Sequence, residues 1–161
     1  MSTAYTPLWC KSNFSFLEAA SHPEELVQTC HAFGLKAMAL TDRGGVYGIV
    51  RAWQKARELG LHLIVGSELS MDDDSTMVLL AEGRRGYSNL CRLLSEAQTR
   101  GEPAVVAKGV APLSWEKLCQ RAEGLVALWG GERSLLVGEA EPMGVARSLK
   151  EAFGERLYAM V

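Results

Sequence analysis

Short runs of consecutive apolar residues alternate along the chain with stretches whose apolar positions recur every three or four residues. The runs predict strands over Ala4–Lys11, Lys36–Thr41, Leu61–Leu69, Thr76–Ala81, Leu125–Trp129 and Arg156–Val161. Between them, Leu26, Val27, Cys30 and Phe33 share one helical face. Ser21 stands as N-cap with Glu24 completing a capping box, Pro23 sits in the first turn, and Gly34 is the stop. Ile49, Val50, Trp53 and Ala56 mark a second helix over Val46–Leu59, and Leu90, Leu93, Leu94 and Ala97 a third over Gly86–Thr99. Ser114–Arg121 and Pro142–Phe153 predict two more helices, while Ser12–Ala20 reads as a loop and Gly101–Pro112 as a loop or hairpin. Strand and helix alternating over short connections predict an α/β fold, with parallel strands and helices outside, as an open sheet or part of a barrel.

Composition narrows the function classes. The 161 residues, 48% apolar and 22% charged, are ordinary for one globular domain. Lys plus Arg number 17 against 19 Asp plus Glu, a net charge of −2, and the pI is near 5.9, so no basic field supports sequence-independent nucleic-acid binding by this segment alone. No apolar run approaches the roughly 20 residues of a membrane span, and Met1–Thr6 lacks the order of a secretory signal, so a cytoplasmic location is expected. Cys10, Cys30, Cys91 and Cys119 are widely spaced, which predicts reduced, mostly buried thiols. With His22, His31 and His62 they lack zinc-site spacing.

In such folds working residues gather at the C-terminal ends of strands. Three ends stand out: Trp9-Cys10-Lys11-Ser12-Asn13, Thr41-Asp42-Arg43-Gly44-Gly45 and Gly66-Ser67-Glu68-Leu69. They bring two carboxylates, Asp42 and Glu68, together with two cations, Lys11 and Arg43. Clustered carboxylates suit a metal ion or an acid–base pair. Cations placed among them neutralise the same charge and repel a metal, so a structural salt-bridge cluster is the better reading of these residue types. The Asp42-Arg43-Gly44-Gly45 loop precedes a helix but carries neither a Walker nor a dinucleotide fingerprint, and its glycines read as a turn. Arg84-Arg85 reads as a solvated helix start, His22 as part of a helix cap, and His31 as a cation suited to the end of its helix.

At these strand ends the sequence resembles a known family. Leu8-Trp9-Cys10-Lys11-Ser12-Asn13-Phe14-Ser15-Phe16-Leu17 and Ala20-Ser21-His22-Pro23-Glu24-Glu25-Leu26 resemble the start of the polymerase-and-histidinol-phosphatase (PHP) domain of bacterial C-family DNA polymerases, closest to the error-prone branch. Ala39-Leu40-Thr41-Asp42-Arg43-Gly44-Gly45-Val46-Tyr47-Gly48 and Leu63-Ile64-Val65-Gly66-Ser67-Glu68-Leu69 are similar to its second and third motifs. Val78-Leu79-Leu80-Ala81, Gly86-Tyr87-Ser88-Asn89-Leu90-Cys91-Arg92-Leu93 and Gly124-Leu125-Val126-Ala127-Leu128 resemble the segments that follow. The resemblance implies a partial (β/α)7 TIM-like barrel of PHP type, with residues 1–161 as the N-terminal part of that domain, ending within the barrel.

Active members of the family build a trinuclear metal site from histidines and carboxylates. Where the first motif has His-x-His, this chain has Trp9 and Lys11. The second motif keeps Asp42 but has Arg43 in place of histidine, and the third keeps Glu68. Trp9, Lys11, Asp42, Arg43 and Glu68 are therefore expected to form a vestigial site, with Lys11 and Arg43 paired to Asp42 and Glu68, no catalytic residue, no bound metal and no cofactor. The implied function is a non-catalytic scaffold in an error-prone, translesion polymerase, contacting the remainder of the polymerase and accessory repair proteins, and meeting DNA only through the full-length parent. A metal-dependent phosphoesterase or exonuclease and a free-standing polymerase-derived binding module are the alternatives. No membrane contact is expected, and an unfinished barrel with open edges is expected to self-associate.

Overall fold

A computed structural model of the chain describes residues 5–99, 112–137 and 142–160. In order these form α1 (Pro23–Ala32), β1 (Ala37–Leu40), α2 (Ile49–Leu59), β2 (His62–Met71), β3 (Thr76–Ala81), α3 (Arg84–Thr99), β4 (Pro112–Leu113), α4 (Trp115–Gln120), β5 (Leu125–Gly130), α5 (Met143–Phe153), a single 3₁₀ turn at Gly154–Arg156, and β6 (Leu157–Met160). The sheet runs β1-β2-β3-β5-β6, with β4 also beside β2, and curls into part of a barrel with the helices outside. The loop expected over Gly101–Pro112 lies outside the described residues except at Pro112, which opens β4.

The expectation of uniformly parallel strands is corrected. The β1–β2, β2–β4 and β5–β6 pairs are parallel, but β3 runs against both its neighbours β2 and β5. The reason is local. Only Asp72–Ser75 separate β2 from β3, too few residues for the crossover that a parallel pair needs. Asp74 turns the chain at φ 64°, and Asp73 Oδ1 accepts from the Ser75 amide at 3.0 Å.

The predicted first strand is also corrected. Pro7 O and Cys10 O accept from Ala39 N and Thr41 N, so the segment lies beside β1. Three steps on one side match two on the other, and Pro7 has no amide hydrogen to give, so no regular ladder forms. The cap of α1 falls one residue late, at His22. Its amide donates to Glu25 Oε2 at 2.7 Å, while Ser21 is held through its carbonyl by Asn13 N. Helix α2 starts at Ile49 and α3 at Arg84, where Arg85 pairs with Glu123 on the exposed surface.

Alternate residues of each strand face opposite layers. Met38 and Leu40 of β1 join Val27 and Cys30 of α1 and Ile49, Ala52 and Ala56 of α2 in one core. Met77 and Leu79 of β3 pack with Leu90, Leu93 and Leu94 of α3, Leu118 of α4, and Leu149 and Phe153 of α5 in a larger one. Ala39, Val78, Leu80 and Leu128 point the other way, into the barrel interior. Each fully buried leucine contributes roughly 1.5–3 kcal/mol, so the outer layers hold most of the stability. Of the cysteines, all free, only Cys30 is buried and the others are part-exposed, against the expectation of mostly buried thiols.

Candidate functional site at the strand ends

The segment after β1 meets β2 at Glu68 through their backbones. Glu68 N donates to Asp42 O at 3.1 Å and Gly44 N to Glu68 O at 2.8 Å, a parallel bridge that continues the β1–β2 pairing past the end of β1. Ser67, fully buried, fastens the loop: its hydroxyl donates to Asp42 O at 2.8 Å and accepts from Gly45 N at 3.1 Å. Arg43 N donates to Ser15 Oγ at 3.1 Å. The three amides at 43–45 are thus consumed inside the protein, so the loop is a turn, with Gly44 at φ 62°, and not a phosphate cradle.

Glu68 is 2% exposed and carries the contacts that the sequence placed here. Trp9 Nε1 donates to its Oε2 at 2.8 Å, Lys11 Nζ to its Oε1 at 3.0 Å, and Arg43 Nε lies 3.6 Å from that same oxygen. Lys11 Nζ also stands 5.5 Å from the centre of the Trp9 ring. A third carboxylate completes the cluster: Glu18 bonds both Lys11 Nζ and Arg43 Nη1. Burial acts to raise the Glu18 pKa, but the hydrogen bond and charge of Lys11 and the charges of Arg43 and Arg133 outweigh it and hold the group below its ordinary value.

Asp42 differs from expectation. Among the described residues no cation lies within ion-pair distance of it, and the pairing of Lys11 and Arg43 to Asp42 is replaced by pairing to Glu18. Its carboxylate, 2% exposed, accepts from Ser12 N at 2.6 Å, Ser12 Oγ at 2.8 Å and Ser15 Oγ at 2.7 Å. Ser12 and Ser15 are themselves buried. The segment 11–18 thus wraps the Asp42 carboxylate with its serines and returns Glu18 to the cations.

Across residues 8–158 the chain matches the PHP domain family. The chain belongs to the PHP domain family. It is 44% identical over 156 residues to an error-prone DNA polymerase of Pseudomonas fluorescens, covering 97% of this chain and 14% of that polymerase. It is also 44% identical over 161 residues to an error-prone DNA polymerase of Anaeromyxobacter, covering 94% and 13%. The chain therefore spans about one seventh of the length of these relatives, and the expected likeness to the error-prone branch is shown. Among solved structures, an amidohydrolase from Chromobacterium violaceum aligns over 94% of this chain and 74% of its own at 14% identity and TM-score 0.58. A two-domain protein from Bacteroides vulgatus with a PHP-like metal-dependent phosphoesterase part aligns over 91% and 41% at 13% identity and TM-score 0.58. Both likenesses place the fold.

The family's metal centre is a poor match to the side chains present at this PHP mouth. Among the described residues no group of three or more His, Cys, Asp and Glu converges as metal ligands. Two of the motif positions carry cations and a third an indole, which donates a proton and offers no lone pair. Both oxygens of Asp42 and both of Glu68 already accept hydrogen bonds. Sequence reasoning missed Glu18, Ser12, Ser15 and Ser67. Their signal was proximity alone: Ser12, Ser15 and Glu18 follow Lys11 within one loop, and Ser67 precedes Glu68.

Proposed function

We propose that this PHP domain is a non-catalytic scaffold of an error-prone C-family DNA polymerase, acting in cytoplasmic translesion synthesis and repair, with a metal site replaced by an ionic cluster. The observation that carries the reading is the contact set of Glu68: an indole N–H, an ammonium and a guanidinium surround its carboxylate. Lys11 and Arg43 supply the positive charge that divalent ions would bring, and do so without open coordination positions where water or a phosphate ester could be activated. The remaining work is structural. A cleft of about 630 Å³ opens on the barrel interior between Leu8, Trp9, Leu80, Leu128 and Tyr158, an apolar surface suited to packing against the rest of the polymerase. Among the described residues no helix is long and apolar enough to cross a membrane.

Metal content tests the reading. Mn²⁺ and Zn²⁺ titrations of the purified chain, before and after chelation, are expected to show no stoichiometric uptake. The double substitution Lys11→His, Arg43→His is expected to gain affinity by restoring imidazole ligands beside Glu68. Tight, chelator-sensitive binding by the unsubstituted chain would refute the scaffold and put a metal-dependent phosphoesterase in its place.

A further inference from the structure

We propose that the outer face of α2 is a docking surface for an acidic amphipathic helix of a partner protein. Occupation of this face does not depend on the chemistry of the strand-end cluster, so it goes beyond the scaffold reading and gives the scaffold a partner of defined chemistry. Helix α2 is apolar on two sides. Ile49, Ala52 and Ala56 face the core. On the other side stand Val50, Trp53 and, in the turn that leads into the helix, Tyr47, spaced three residues apart and 66%, 48% and 59% exposed. Phe14, 39% exposed, extends the stripe, its ring centre 6.4 Å from that of Tyr47. A solvated helix face normally carries charged and polar residues, and apolar side chains gathered in one exposed patch mark an interaction site.

The patch is preformed. A Cβ at Gly45 would stand 2.2 Å from the Tyr47 ring and one at Gly48 3.2 Å from the Phe14 ring, so both rings lie directly against backbone. Gln98 Nε2 also donates to Tyr47 Oη at 3.0 Å. Rings already fixed lose little freedom on binding. Charge selects the occupant. The Arg57 guanidinium, one turn beyond Trp53, lies 4.7 Å from the centre of that ring and pairs with no carboxylate among the described residues. Along α2, Arg51, Lys55 and Arg57 face Glu58 alone. A stacked guanidinium keeps its in-plane N–H donors for a carboxylate. From Tyr47 to Arg57 the stripe runs about 15 Å, or about three helical turns. A helix with apolar residues every three or four positions and Glu or Asp at the Arg57 end fits it. The Arg51–Glu24 and Lys55–Glu58 pairs give the patch a polar rim, the anatomy of a reversible contact between proteins and not of an obligate core.

Fluorescence anisotropy with the full chain tests this. The probe is a labelled helical peptide of about four turns, with Leu at helical spacing and Glu beside it, set against a counterpart with Lys in place of Glu. The acidic peptide is expected to bind, and the basic one to bind at least about tenfold more weakly. Trp53→Ala is expected to weaken the acidic peptide about tenfold. Val50→Asp, which sets a like charge in the middle of the stripe, is expected to do at least as much. Arg57→Gln is expected to cost about three- to tenfold and to erase the preference for acid over base. All three side chains face solvent, so the circular dichroism of each variant is expected to match that of the parent. Equal binding of the two peptides, binding of neither, or a folded Trp53→Ala chain that binds as the parent does would overturn the docking face. A dimer in light scattering that Trp53→Ala dissociates would make a second copy the occupant. Co-sedimentation with anionic phosphatidylserine vesicles, lost in Arg57→Gln, would make it a lipid surface. Either result would overturn the partner helix, and neither bears on metal uptake, which tests the scaffold reading separately.

Discussion

Replacing Asp42 separates a structural carboxylate from a catalytic one. In a metal centre, removing one of several clustered carboxylates relieves like-charge repulsion in the metal-free protein, and stability holds or rises. Here the carboxylate is buried and takes three hydrogen bonds from two buried serines. Asp42→Ala strands the Ser12 amide and both hydroxyls. A hydrogen bond to a charged group is worth about 1.5–3 kcal/mol, and each orphaned buried donor costs about 1–3 kcal/mol. Allowing the two hydroxyls to rotate toward other acceptors, the loss is about 3–5 kcal/mol, out of a total stability on the order of 5–15 kcal/mol. At roughly 2–4 °C per kcal/mol for a chain of this size, Tm falls by about 10 °C. Asp42→Asn keeps an acceptor for the Ser12 amide but turns an N–H₂ group toward a serine hydroxyl, and is expected to cost about 1–2 kcal/mol. Urea unfolding followed by circular dichroism reads both. A change smaller than about 0.5 kcal/mol, or a gain, in the alanine variant would refute the structural role.

Two further outcomes follow from close packing and from burial. A Cβ at Gly86 would stand 1.8 Å from Gly124 O, where α3 passes the turn before β5. Gly86→Ala, which in an open helix would stabilise by about 1 kcal/mol, is therefore expected to destabilise by at least about 2 kcal/mol, measured by the same unfolding assay. Partial burial, with the Cys30 thiol nearby, pushes the Cys10 pKa up from 9.0 to about 11, so its thiolate fraction near pH 8 drops about 100-fold. Alkylation of Cys10 followed by mass spectrometry is expected to be slower than that of an unburied thiol by about that factor. Modification at the free-thiol rate would contradict the burial.

The sequence alone determined the elements and the neighbourhood of the site. Helical spacing located α1, α2 and α3, with Gly34 as the stop of α1, because an amphipathic face leaves its period in the order of residues. Asp42 and Glu68 were expected to meet because the sequence places each near the end of a strand, and although β2 runs on to Met71 the β1–β2 pairing carries on through Asp42 O, Glu68 N and Gly44 N. The presence of an indole at Trp9 and of cations at Lys11 and Arg43 was equally legible, since side-chain chemistry is written in residue type. The tertiary structure decided which charge met which. Lys11 and Arg43 turned to Glu18, not Asp42, because the loop 12–20 folds back over the mouth, a path that no periodicity records. Buried serines took Asp42, and hydroxyls next to a cation in sequence carry no mark of the carboxylate they will face. The reversal of β3 likewise came from a four-residue connection acting on whole strands. Periodicity registers burial, but direction and partner are settled by how far the chain can reach between one element and the next.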